Sequence, residues 1–343
     1  MNELTLGLAI VGGVVLAGVV VHGAWQARKA GPRRAEAAPA PAAAAPQIEP
    51  VLGDDPGADL PQVRVAPRRA GQRVDALIDA IAALRPEAEL SGESVLAHLP
   101  PTRRVGSKAL MVEGLNAESG EWEPITPGAR YRELQAGIQL ANRGGALNEI
   151  EYSEFVQKVQ ALADALGAMA ELPDMLDVVA RARELDAFAG AHDAQLAVRL
   201  VARSVAWSVG YVQQAAARRG FVSGGVPGRM VLPPAHDGDP PVMVLHYDAQ
   251  AALAEDGDVS ALRELTLSLD VAQTDPAQQP FAAWQGHAQA LAEEMDAQLV
   301  DDQGQPLTEA GFATIGTELE RLYAALAAHD LAAGSTAGRR LFS

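Results

Sequence analysis

The stretch Gln195-Leu196-Ala197-Val198-Arg199-Leu200-Val201-Ala202-Arg203-Ser204 decides the fold. Leu196, Val198 and Leu200 fall on one side, and Ala197, Arg199, Val201 and Arg203 on the other. Period two with one polar side is the pattern of a strand buried on one face only. A sheet with one open face is usually antiparallel, so the residues that follow should supply neighbouring strands and helices to cover the other face.

They do so in order. Val209–Arg219 reads as a helix stopped by Gly220. Arg229–Pro233 and Val242–Tyr247 flank His236-Asp237-Gly238-Asp239, a turn cluster, and so form a hairpin. Leu265–Val271 alternates again, with Leu265, Leu267, Leu269 and Val271 on one side and Thr266, Ser268 and Asp270 on the other. A helix over Phe281–Met295, a short strand over Gln298–Asp301 and a last helix from Glu309 to about Leu326 complete a β-α-β-β-β-α-β-α succession. Strands with helices packed on one face make an α+β layer.

Residues 72–190 repeat much of that order. Asp75–Leu84 is apolar, Gly92–His98 a helix candidate, Ala109–Glu113 and Gly120–Pro124 a hairpin, Tyr131–Ala141 a strand, and Val156–Leu166 and Met175–Leu185 helices. Arg132-Glu133-Leu134 echoes Arg263-Glu264-Leu265, and Ala191-His192-Asp193 echoes Ala328-His329-Asp330. These echoes suggest two tandem divergent copies of one split β-α-β type antiparallel unit; a single extended domain, or a helical spacer before one domain, is the other reading.

Further out the chain changes character. Residues 31–71 are rich in Pro and Ala and poor in large apolar residues, the composition of a disordered tether. Leu4–Ala27 holds no Asp, Glu, Lys or Arg. As a helix it would measure about 36 Å, enough to cross a hydrocarbon core of about 30 Å; the other readings are a buried core helix or a cleaved signal peptide, which would want a basic start where Met1-Asn2-Glu3 stands and a shorter apolar run. Leu4, Leu6, Ile10 and Leu16 supply its apolar surface, Trp25 suits the headgroup level, and Arg28 and Lys29 open a basic flank. That flank puts the N-terminus outside and the rest in the cytoplasm. Charge divides along the same line. Residues 1–73 hold eight Lys/Arg and six Asp/Glu, leaving 19 basic and 38 acidic residues for the remainder of a chain whose net charge is −17. The expected layout is therefore an anchor with a basic flank (1–30), a linker (31–71), an upstream unit (72–190), a C-terminal domain (191–330) and a disordered tail (331–343).

Little here points to chemistry. The chain has no cysteine, which removes thiolate metal sites and cysteine nucleophiles. Its histidines (22, 98, 192, 236, 246, 287, 329) lack ligand spacing. Gly224-Gly225 and Gly228 lack the lysine and hydroxyl of a phosphate loop, and Asp301-Asp302 reads as a turn because adjacent strand residues face opposite ways. The acidic balance is wrong for a nucleic-acid binder. The expectation is a non-enzyme with no metal, cofactor or small-molecule substrate.

Anchor, tether and α+β head together resemble the ZipA family of bacterial cell-division proteins. The resemblance is carried by Met1-Asn2-Glu3-Leu4 entering an apolar run that ends near Trp25, by Ala216–Phe221 leading out of a helix, by the Asp237-Gly238 hairpin, and by Leu299-Val300-Asp301-Asp302-Gln303 followed by Pro306-Leu307-Thr308. It covers the anchor and about residues 190–330; 72–190 lies outside the family's usual pattern. It implies an adaptor at the division septum of the bacterial inner membrane, whose head binds the C-terminal tail of the tubulin-like protein FtsZ on the exposed sheet face. By position, Val201, Val244, His246, Leu269 and Phe281 would line that groove, and Arg199 and Arg203 would attract an acidic peptide. Outward parity on the fourth strand instead favours Thr266, Ser268 and Asp270. The alternative is a membrane scaffold that binds another protein through 72–190.

Overall fold

The computed structural model describes residues 73–343, apart from 235, 237 and 254–260. The expected spanning segment with Leu4, Leu6, Ile10, Leu16, Trp25, Arg28 and Lys29, and nearly all of the linker, lie outside the described residues. No helix among the described residues is long and apolar enough to cross a membrane. The chain is mixed α+β with antiparallel sheets and divides into two compact units.

The first unit takes in the described residues up to Ala194, together with Val271–Gln278 and Thr317–Ser343. Its elements are β1 (Asp79–Pro86), α1 (Gly92–His98), β2 (Arg104–Val105), β3 (Lys108–Asn116), β4 (Arg130–Gln139), α2 (Glu149–Leu166), β5 (Ala168–Glu171) and α3 (Met175–His192). The strands lie in the order β2-β3-β4-β1-β5, antiparallel throughout. Helix starts follow local chemistry. The Ser91 hydroxyl accepts from the Ser94 N–H, Asn148 and Glu151 form a capping box, and the Asp174 carboxylate accepts from Leu176 and Asp177. Ala80, Ala82, Leu84, Leu134, Ala136 and Ile138 on one sheet face are buried beneath Val95, Phe155, Val159, Leu162, Val178 and Ala182 from the three helices.

The second unit comprises Gln195–Asp270 and Gln279–Gly316. It contains β6 (Gln195–Ala202), α4 (Val209–Arg218), β7 (Arg229–Leu232), β8 (Met243–His246), β9 (Glu264–Asp270), α5 (Pro280–Met295), β10 (Ala297–Val300) and the start of α6 (Glu309–Ala328). Its strands lie in the order β7-β8-β9-β6-β10, again antiparallel, with a two-residue strand, Val222–Ser223, added outside β7. Val198, Leu200, Leu265, Leu267 and Leu269 are buried on the helix side with Val212, Ala216, Trp284 and Leu291. Both indoles find partners: Trp284 Nε1 donates to the Leu267 carbonyl at 3.1 Å, and Trp207 Nε1 to the Met295 carbonyl at 2.8 Å.

The two sheets agree in order and also in register. Leu84 stands opposite Leu134 and Ala170; Leu200 stands opposite Leu265 and Leu299. Pro86 faces Ala168, and Ala202 faces Ala297. The helix before each edge strand ends on a left-handed residue, Gly167 in one case and Asp296 in the other.

Residues 331–343, expected as a disordered tail, are ordered. Helix α7 (Thr336–Leu341) is capped by the Ser335 hydroxyl. Leu331, Leu341 and Phe342 join Ile78, Ala141, Ala189, Ala272 and Leu326 in a second core of the first unit. The sequence pattern missed this because Ala332-Ala333-Gly334-Ser335 and Thr336-Ala337-Gly338 show no helical period, while the burial comes from three residues spread over twelve positions.

Candidate functional site

The open face of the second unit's sheet follows from strand parity. Side chains that point away from the helices form cross-strand rows. Val231 lies opposite Val244, Val244 opposite Ser268, and Ser268 opposite Ala197. In the next row Arg229 lies opposite His246, His246 opposite Thr266, and Thr266 opposite Arg199. Val201 lies between Glu264 and Gln298. A shallow hollow of about 160 Å³, lined by Gln195, Pro241, Val242, Val244, Ser268, Leu269 and Asp270, runs along the first row.

The polar groups of this face are only partly paired. Arg199 meets Glu264 at 2.6 Å, and the Ser268 hydroxyl donates to the Val244 carbonyl at 3.2 Å. The Nε–H groups of Arg199 and Arg229 are shielded from solvent and have no hydrogen-bond partner. Burial holds the His246 imidazole below its ordinary pKa, and the Arg229 charge adds to the effect. The face thus offers branched apolar side chains and a neutral imidazole, a set that suits the small apolar side chains of an extended peptide.

The residues expected for the site divide into two groups. Val201, Arg199, Val244 and His246 share the open face. Leu269 does not: it is 1% exposed, in the helix-side set with Leu265 and Leu267. Its parity fixes that side, and the open-face positions of β9 are Glu264, Thr266, Ser268 and Asp270. Phe281 belongs to the helix layer, half-buried, stacked on Trp284 with ring centroids 6.0 Å apart and in contact with Gly316. Arg203 lies one residue past the end of β6, where its Nε donates to the Ala297 carbonyl at 3.1 Å. It borders a separate, wide cleft of about 550 Å³ whose other walls include Gln298, Leu299, Pro306, Leu307 and Phe312. That cleft carries Glu293, Asp296 and Glu309 as well, so its charge is mixed.

Sequence reasoning overlooked Arg229, Val231 and the hollow beside Ser268. The signal was present in the alternation of β7, but only the pairing of β7 with β8 shows that Arg229 and Val231 extend the same rows. No family model matches the chain, and no curated protein matches it. Among the described residues, no group of three or more His, Asp or Glu side chains stands together as a metal site.

Proposed function

We propose that this chain is a membrane-anchored cell-division adaptor of ZipA type that ties FtsZ polymers to the bacterial inner membrane. The observation that carries the reading is the sheet face of the second unit, which no described residue covers and on which Val231, Val244 and Val201 point outward. An extended tail lying across these rows trades its ordering entropy for apolar burial. Low aromatic content limits the apolar area available to each tail. Strength then comes from many tails on one polymer meeting many heads held by anchors along one bilayer. The tether over 31–71 keeps each head within reach of a polymer.

The matching strand order and register support reading the two units as divergent copies of one split β-α-β type unit, the second of them keeping the peptide face. The test uses the full chain, because residues 317–343 belong to the first unit's core and a fragment starting near 190 would strip their partners. A synthetic FtsZ C-terminal peptide should bind the full chain, and Val244→Asp should lower its affinity at least tenfold while the fold, followed by circular dichroism, is kept. A wild-type chain that binds no peptide would remove the proposal.

A further inference from the structure

The open face of the first unit is not open. Its outward positions include Asp79, Glu113 and Gln139, and all three are buried, at 1–3% exposure. The chain itself covers them. The Arg73 guanidinium donates to the Trp122 carbonyl and lies 3.8 Å from Glu113. The Val74 N–H donates to Glu113 Oε1 at 3.1 Å. The Val74 methyls sit so low over Gly137 that a Cβ there would come within 2.8 Å of them. The Asp75 N–H then donates to Asp79 Oδ2 at 2.8 Å. Arg340 closes the far end: it pairs with both oxygens of Asp79 at 2.5 and 2.9 Å and donates to the Arg73 carbonyl at 2.9 Å. Gln139 Nε2 in turn donates to the Arg340 carbonyl at 2.6 Å. Residues 73–75 thus lie as an extended strap across β3, β4 and the start of β1.

Register makes the positions beneath this strap the counterparts of the second unit's hollow. Since Leu134 corresponds to Leu265, Gly137 corresponds to Ser268 and Gln139 to Asp270. The residues paired with them, Met111 and Asp79, correspond to Val244 and Gln195. Four of the residues lining the hollow of about 160 Å³ are therefore the counterparts of positions beneath or beside the strap. One copy has the groove filled; in the other, no described residue fills it.

We infer that the first unit is a second extended-peptide site, held shut in cis by Arg73–Asp75 and latched by Arg340. Its ligand is an extended segment with a short branched apolar residue over Gly137 and a preceding basic residue toward Glu113, the chemistry the strap itself displays. That the two grooves are of one kind rests on the peptide-binding reading of the second unit; occupation by the strap does not. A strap attached to its own groove competes at an effective concentration on the order of millimolar, so a free peptide of the same sequence is excluded while the strap is seated.

The experiment adds a labelled peptide of the chain's own residues 69–77 to the full chain and to Val74→Asp, Val74→Gly and Val74→Asp/Gly137→Val variants, with binding located by amide protection. The expected result is at least tenfold tighter binding to Val74→Asp and Val74→Gly than to wild type, protection at Glu113 and Gly137, and loss of that gain when Gly137→Val fills the floor. The glycine variant keeps the test valid if the aspartate variant does not fold. Equal binding to wild type and to the folded strap variants, or none to any of them, would overturn the inference. A parallel titration of wild type with an FtsZ tail peptide, read at Val244 and Ser268, reports on the second unit alone, so either reading can fail without the other.

Discussion

The Asp79–Arg340 pair joins residues 261 positions apart and is almost wholly withdrawn from water. Burial pushes the Asp79 carboxyl up, while the Arg340 charge and the Asp75 N–H pull it back down. Such a pair contributes little net stability, because desolvation cancels most of the attraction, yet removing one member leaves an uncompensated charge. Arg340→Ala is therefore expected to cost about 3–5 kcal/mol, and Asp79→Leu/Arg340→Met should recover most of the loss; urea unfolding of the three chains measures both. His287 offers a gentler case. Burial, then the Arg219 charge, lowers its pKa, so the folded state favours the neutral ring. Stability from this residue is present above the unfolded pKa of about 6.5 and falls as pH drops through that value toward the lower folded one. His287→Gln should flatten the decline in melting temperature as pH falls below about 6.5. Neither effect is visible in the sequence. Asp79 stands inside an apolar run with nothing nearby to identify its partner, and His287 is one polar residue on a helix whose tertiary neighbours decide its environment.

Helices and strands were far more legible. Period-two runs in β6 and β9 and the Gly220 and Asp237-Gly238 signals placed the second unit's elements to within a few residues. Side-chain parity even assigned Leu269 to the helix face, against the groove position implied by family resemblance; local periodicity was the better guide because burial is what creates it. The failure came at α7, where small residues hide a helix that exists through tertiary contacts. Helix ends carry their own test. Gln279 precedes α5 at φ 50° with no side-chain cap, a left-handed backbone in which a β-carbon is strained. Gln279→Gly should stabilise the chain by roughly 1 kcal/mol. Gly167→Val, at the left-handed end of α2, should cost about 1–2 kcal/mol, and both shifts are readable as changes in the denaturation midpoint.

For the whole molecule, the sequence divides a basic, apolar and Pro/Ala-rich first fifth from an acidic head, and the head from itself by internal similarity. What it hid was the difference between the two units' outward sheet faces. Equivalent sheet faces carry a strap in one unit and a hollow in the other, and only three-dimensional register relates Gly137 to Ser268. The boundary after residue 330 was also hidden: Leu331, Leu341 and Phe342 are core residues of the first unit. Truncation at 330 should therefore lower the melting temperature by more than about 10 °C, in keeping with the loss of several buried apolar side chains at about 1.5–3 kcal/mol each and of the Arg340 partner of Asp79. The central claim is that the second unit's open face takes the FtsZ tail. Titrating the isotope-labelled full chain with a synthetic FtsZ C-terminal peptide, amide by amide, addresses it directly. The account predicts saturable shifts centred on Val201, Val231, Val244 and Ser268. Shifts confined to the cleft beside Arg203 and Phe312, or no shifts at all, would contradict it.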